Sequence, residues 1–204
     1  MKDAIQSRLP FYSFFVFTFV MFALPAEAHL NSTGMGPFYD GFVHFILSPE
    51  DIVPVLALAL LAGLRGANYG RRTLFVLPTA WLLGGLFGVM RSTSSSNAVL
   101  SAAWFLLLGG LLAADAKLSL RVATALAAFL GVYHGYLNGD GMGQSANTAV
   151  ALLGLVFVVF VLVALAAAFV VRLRVQWARI AIRVAGSWIA ASGLLMLGWA
   201  VRAR

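Results

Sequence analysis

Apolar residues in this chain neither alternate with polar ones nor keep to a single helical stripe. They run in long blocks separated by short turns of polar, Gly or Arg residues. Beyond an apolar N-terminal stretch, six blocks cover approximately residues 38–64, 74–90, 99–114, 122–137, 148–171 and 180–201. Each is near the roughly 20 residues that carry a helix across a bilayer. A transmembrane β-barrel would instead show alternating segments of about ten residues. The pattern predicts an all-α, polytopic transmembrane bundle of about six helices.

The N-terminal stretch has a different character. Lys2 and Arg8 precede an apolar, aromatic-rich core at residues 11–24, and Ala26-Glu27-Ala28 supplies a small-x-small cleavage site. That order is the one a secretory signal peptide needs. The expected organisation is a signal peptide over 1–28 and a single transmembrane domain over 29–204; an uncleaved first helix is the alternative. Cleavage leaves a mature N-terminus, His29, on the outer side. The first, third and fifth connections then hold nine basic residues: Arg65, Arg71, Arg72, Lys117, Arg121, Arg172, Arg174, Arg179 and Arg183. The opposite side holds Arg91, Arg202 and Arg204. Basic residues accumulate on the cytoplasmic side of membrane proteins, so this independent signal gives the same orientation.

Composition narrows the function classes. Of 204 residues, 62% are hydrophobic and 10% charged, against roughly 25% charged in a soluble domain. Lipid must therefore cover most of the surface. There is no cysteine, which excludes disulfides, zinc–thiolate sites, iron–sulfur clusters and thiol nucleophiles. The net charge of +7 is scattered through short turns, a pattern that sets orientation and does not suit a nucleic-acid partner. Gly84 and Gly88, and then Gly131, Gly135, Gly139 and Gly143, recur at four-residue spacing, which places small residues on one helical face. Such faces fit close helix packing, and equally the general glycine richness of membrane helices.

Ionisable residues inside a bilayer cost several kcal/mol unless they face the bundle and find partners. Beyond residue 28 the acids are Asp40, Glu50, Asp51, Asp115 and Asp140, and the internal histidines are His44 and His134. On one continuous first helix, His44 and Asp51 would share a face two turns apart. Pro49 and Pro54 flank the Glu50-Asp51 pair, and a proline at depth frees backbone carbonyls to line a wet cavity. A structural role, in which Asp51 and Glu50 cap a broken helix or pair with an Arg, is the plainer alternative. In the fourth block His134 and Asn138 lie one turn apart, with Asp140 at the helix end. If these two helices pack, imidazole and carboxylate groups converge below the outer surface, a donor set suited to divalent first-row metals. Two weaker signals point to copper: an N-terminal His29, and thioethers of Met35, Met90 and Met142.

These residues carry a resemblance. The chain resembles the HupE/UreJ family of membrane proteins, which is associated with nickel uptake for hydrogenase and urease. Gly41-Phe42-Val43-His44 followed by Glu50-Asp51 stands where that family has a Gly-Phe-x-His opening and an H-x5-D-H signature. Tyr133-His134-Gly135-Tyr136-Leu137-Asn138-Gly139-Asp140-Gly141 is similar to its F-H-G-x-A-H-G-x-E segment. The family's Asp-His has become Glu50-Asp51, its second fourth-helix His has become Asn138, and its Glu falls on Gly141 beside Asp140. Harder oxygen donors leave cobalt, copper, iron and manganese open beside nickel.

The resemblance implies a bacterial inner-membrane protein and a secondary transporter for a divalent transition metal. The metal is the substrate, no organic cofactor is implied, and the expected ligands are His44, Glu50, Asp51, His134, Asn138 and Asp140. No phosphate-binding GxxxxGK[ST] loop is present, so a gradient or the membrane potential would drive movement. An enzyme is not expected, since neither GxSxG nor a cysteine nucleophile occurs. The alternative is a membrane subunit or assembly factor for a metalloenzyme. Its partners would be lipid and other membrane chains, a homo-oligomer included.

Overall fold

The computed structural model describes residues 33–91, 98–143, 147–173 and 175–202. The proposed signal segment and His29 lie outside the described residues. Among these residues the chain forms α1 (Pro37–Leu47), α2 (Pro49–Arg65), α3 (Ala67–Arg91), α4 (Ala98–Ala113), α5 (Leu120–Met142), α6 (Thr148–Arg172) and α7 (Gln176–Arg202), with no strand. Helices α3, α5, α6 and α7 are long and apolar enough to cross a membrane, and α1 with α2 passes the same test only as a bent pair, the form of a broken span or a re-entrant loop. Helix α4 is apolar but has 16 residues, a length of about 24 Å. The six apolar blocks of the sequence thus reappear, the first of them broken.

The break is the chief departure from the sequence reading. Ser48 ends α1 in an extended conformation and also caps α2, and the two helices meet at 75°. Pro49 has no N–H to donate and its fixed φ suits a first helical position, so a helix starts there more easily than it continues through. The Ser48 hydroxyl donates to the His44 carbonyl at 2.7 Å, satisfying one of the acceptors freed at the end of α1. His44 and Asp51 therefore belong to different helices, and the seven-residue spacing does not put them on one face. At the other end of α2, Gly66 adopts φ 110° and turns the chain directly into α3.

Helix α3 packs along α5 through backbone contact. A Cβ on Gly84 or Gly88 would collide with the carbonyl oxygens of Val132 or Tyr136, and one on Gly135 or Gly139 would strike those of Trp81 or Gly85. Gly131 joins this seam, whereas Gly143 ends α5 with φ 67° and lies off it. Gly109, Gly186 and Gly193 bring α4 and α7 together in the same way, and α6 packs against α1, α2 and α3. Trp81, Leu58, Leu77, Leu108, Leu130 and Leu155 fill the centre. Large side chains such as Phe87, Phe129, Phe169, Trp188 and Leu195 face outward. In water that would be an aggregating surface; in hydrocarbon it is the ordinary one.

One end of the bundle is tied by charge. Asp115, with φ 50° in the turn between α4 and α5, pairs with Arg65 at the end of α2 and lies 3.7 Å from the Arg179 guanidinium of α7. Tyr69 Oη donates to the Leu118 carbonyl at 3.0 Å, joining the start of α3 to the same turn.

Candidate functional site

The helix break delivers Asp51 to the middle of the bundle. With Ser48 as cap and Pro49 first, Asp51 is the third residue of α2, where the exposed N–H groups and the helix dipole favour a negative charge. Its Oδ1 lies 2.7 Å from His134 Nδ1, and its Oδ2 accepts from Asn138 Nδ2 at 3.0 Å. Asn138 sits one turn after His134 on α5, and the same amide also reaches the His134 carbonyl at 2.9 Å. Asp51, His134 and Asn138 are 4%, 2% and 6% exposed, so this carboxylate–imidazole–amide cluster is sealed among side chains. His134 precedes the end of α5 by eight residues, about 12 Å along the axis.

Aromatic rings form the walls. The Trp81 ring of α3 stacks on the imidazole with centroids 5.5 Å apart, while Trp104 of α4 lies 6.1 Å away and Tyr133 5.2 Å away. Phe45 of α1 meets Trp81 edge-on, with centroids 5.7 Å apart. Five helices thus contribute to one polar point and its enclosure.

The Asp51 carboxylate at Nδ1 fixes the orientation of the imidazole and turns its Nε2 away from the carboxylate. His134 Nε2, Asn138 Oδ1, Tyr133 Oη and Trp81 Nε1 are buried and have no protein hydrogen-bond partner. Buried polar atoms are normally satisfied, so these four atoms around one imidazole mark it as the candidate site.

No hydrogen bond among the described residues ties the remaining expected residues into the cluster. Glu50 precedes Asp51 by one residue and is exposed, yet it lies close enough to interact electrostatically with Asp51, His134, His44 and Tyr133. His44 is half-buried on α1, across the break, and no hydrogen bond or ion pair among the described residues joins it to the cluster. Asp140 follows Asn138 by two residues, which carries it round to another side of α5, and its backbone lies against Gly88. Among the described residues no group of three or more His, Asp or Glu is placed to hold a metal ion. Met142 is buried, whereas Met35 and Met90 are exposed. The sequence reading did not include Trp81 and Trp104 in the site. Their signal was position: tryptophans in membrane helices gather at the interfaces, and these two stand well inside their helices.

Comparison with known proteins places the chain. The family model described as HupE / UreJ protein matches residues 17–196. The chain belongs to the HupE/UreJ family. No curated protein and no solved structure matches it. The HupE/UreJ match runs through every helix that builds the cluster, from Phe45 on α1 to Asn138 on α5. In this HupE/UreJ chain the residues that meet are His134, which the resemblance keeps, and Asp51 and Asn138, which stand where its signatures have histidines.

Proposed function

We propose that this HupE/UreJ protein is a secondary permease for a divalent transition-metal ion, nickel first, and that the ion passes through the Asp51–His134–Asn138 cluster. The observation that carries this reading is the buried His134 Nε2, oriented by Asp51 and left without a protein partner. An imidazole nitrogen and an amide oxygen suit nickel and cobalt, and also copper, iron and manganese. Conduction needs binding strong enough to admit the ion and weak enough to release it. A small donor set completed by the ion's own water fits cargo better than a resident metal would.

In this account the mature N-terminus and the turns after α3 and α5 face outward, and Arg71, Arg72, Lys117 and Arg121 face the cytoplasm of a bacterial inner membrane. An ion entering from outside sheds water at the cluster, which lies nearer the outer end of α5, and leaves inward along the membrane potential. That potential supplies about 2.3 kcal/mol per charge per 100 mV.

The test is accumulation of nickel, cobalt, copper, iron, manganese and zinc in cells expressing this chain alone, against an empty-vector control. Selective accumulation of one or two of these ions is expected. Unchanged metal content in cells with the protein correctly inserted would instead support a membrane assembly factor for a metalloenzyme.

A further inference from the structure

Among the described residues, the end of the bundle that holds Asp115 has more basic than acidic side chains. Asp115 is the only acid described at this end, and Arg65 and Arg179 already occupy it. Arg72 on α3 and Arg121 on α5 are exposed and have no carboxylate partner among the described residues. Two open cavities flank Arg72. One, of about 590 Å³, is lined by Asn68, Arg71, Arg72, Phe75, Val76 and Leu120. The other, of about 880 Å³, runs from Arg72 past Ser119 and Arg121 to Thr124, Ala125 and Ala128.

Each cavity is polar at one end and apolar along its length. Arg72, Phe75 and Val76 are spaced three and four residues apart on one face of α3, and Arg121, Thr124, Ala125 and Ala128 follow the same spacing on α5. Arg121 stands in the first turn of α5 and Arg72 in the second turn of α3, and the apolar residues lie further into the span. A ligand that fits must present an anion at the membrane surface and a hydrocarbon chain beneath it. We infer that the grooves on either side of Arg72 bind an anionic phospholipid. Its phosphate sits between Arg72 and Arg121, and its acyl chains lie along Phe75–Val76 and Ala125–Ala128. Free phosphate would satisfy the arginines and leave both apolar floors uncovered. A zwitterionic lipid would cover the floors and leave the excess charge.

The test uses the full-length chain purified in detergent and titrated with dioleoyl phosphatidylglycerol, dioleoyl phosphatidylcholine or inorganic phosphate, with bound molecules counted by native mass spectrometry. Phosphatidylglycerol should be retained at least tenfold more tightly than phosphatidylcholine. Arg72→Gln and Arg121→Gln should each weaken it about fivefold, because each removes one cation near the membrane surface. Arg202→Gln at the other end of α7 should leave binding unchanged. Ala128→Trp, which fills one acyl groove and retains both arginines, should also reduce lipid retention. Both arginines are exposed, so their loss leaves packing intact, and unchanged helicity by circular dichroism verifies this. Equal retention of the two lipids, or of lipid by the Arg72→Gln/Arg121→Gln protein, would overturn the inference. Phosphate displacing phosphatidylglycerol at equal concentration would also overturn it.

Discussion

Asp51 Oδ1 and His134 Nδ1 lie 2.7 Å apart although 83 residues separate them in the chain. This contact joins the broken first span to α5, two elements that otherwise touch over only a short stretch. The same carboxylate holds Asn138, so removing it leaves two buried donors unsatisfied at once. Each orphaned buried group costs about 1–3 kcal/mol, less where membrane-unfolded states find substitute partners. Asp51→Ala should therefore lower stability by about 1–3 kcal/mol. Asp51→Asn, which retains an acceptor oxygen, should cost less. Reversible unfolding in mixed detergent micelles measures both, and equal stability of Asp51→Ala and wild type would show that the pair is not a structural tie.

The α3–α5 seam leads to a prediction independent of the polar cluster. Gly135→Ala and Gly139→Ala each push a methyl group into a carbonyl of the facing helix, and overpacking of this kind costs about 1–3 kcal/mol. Gly110 and Gly198 have no neighbour within 4 Å of an added Cβ, and as helical glycines they should tolerate alanine or gain slightly. Thermal aggregation of the four purified variants in detergent gives the comparison. Similar midpoints for all four would mean that the helices do not approach as closely as described.

Much of this was legible in the sequence, for identifiable reasons. Helix-length apolar blocks have one solution in a bilayer, so the all-α class and the segments followed directly. Asp51, His134 and Asn138 stood out because polar groups are rare in such blocks. The interruption at Ser48 was encoded too: Ser48-Pro49-Glu50-Asp51 is an N-cap, a proline at the first position and acids in the first turn. Continuous hydropathy across residues 38–64 masked it, and so His44 was grouped with Asp51. Helical phase at single-residue steps gives the hydrogen bonds to Asp51 and Asn138 and leaves Glu50 beside the cluster without one, and motif alignment does not resolve that phase. Trp81 and Trp104 come from helices whose packing partners no local pattern specifies.

Asp115 should matter for stability and not for metal movement. Asp115→Asn breaks the ties to Arg65 and Arg179 at the end of the bundle remote from the cluster. The Arg65–Asp115 pair is largely buried, at 12% and 26% exposed, so breaking it should cost more than the about 0–1 kcal/mol of a surface pair. A lower unfolding midpoint with unchanged metal accumulation is the expected combination. Loss of accumulation at normal membrane levels would move part of the transport path to this end.

The orientation has its own check. A reporter fused after Arg71 should be active on the cytoplasmic side, and one fused after Gly141 on the outer side. The proposed orientation rests on the charge distribution of the connecting turns, and the opposite pattern at both positions would overturn it.

The central claim is that a metal ion uses His134 Nε2 inside the membrane, and radioactive nickel uptake into intact cells tests it most directly. Wild type, His134→Gln, Asp51→Asn and the double variant are compared at matched membrane levels. Loss of a ligand or of the group that orients it commonly costs tenfold or more. Each single variant should therefore fall at least tenfold, and the double variant should fall no further than the worse single one, because both residues act at one point. Uptake by His134→Gln equal to wild type, in a protein that inserts and folds normally, would contradict the account.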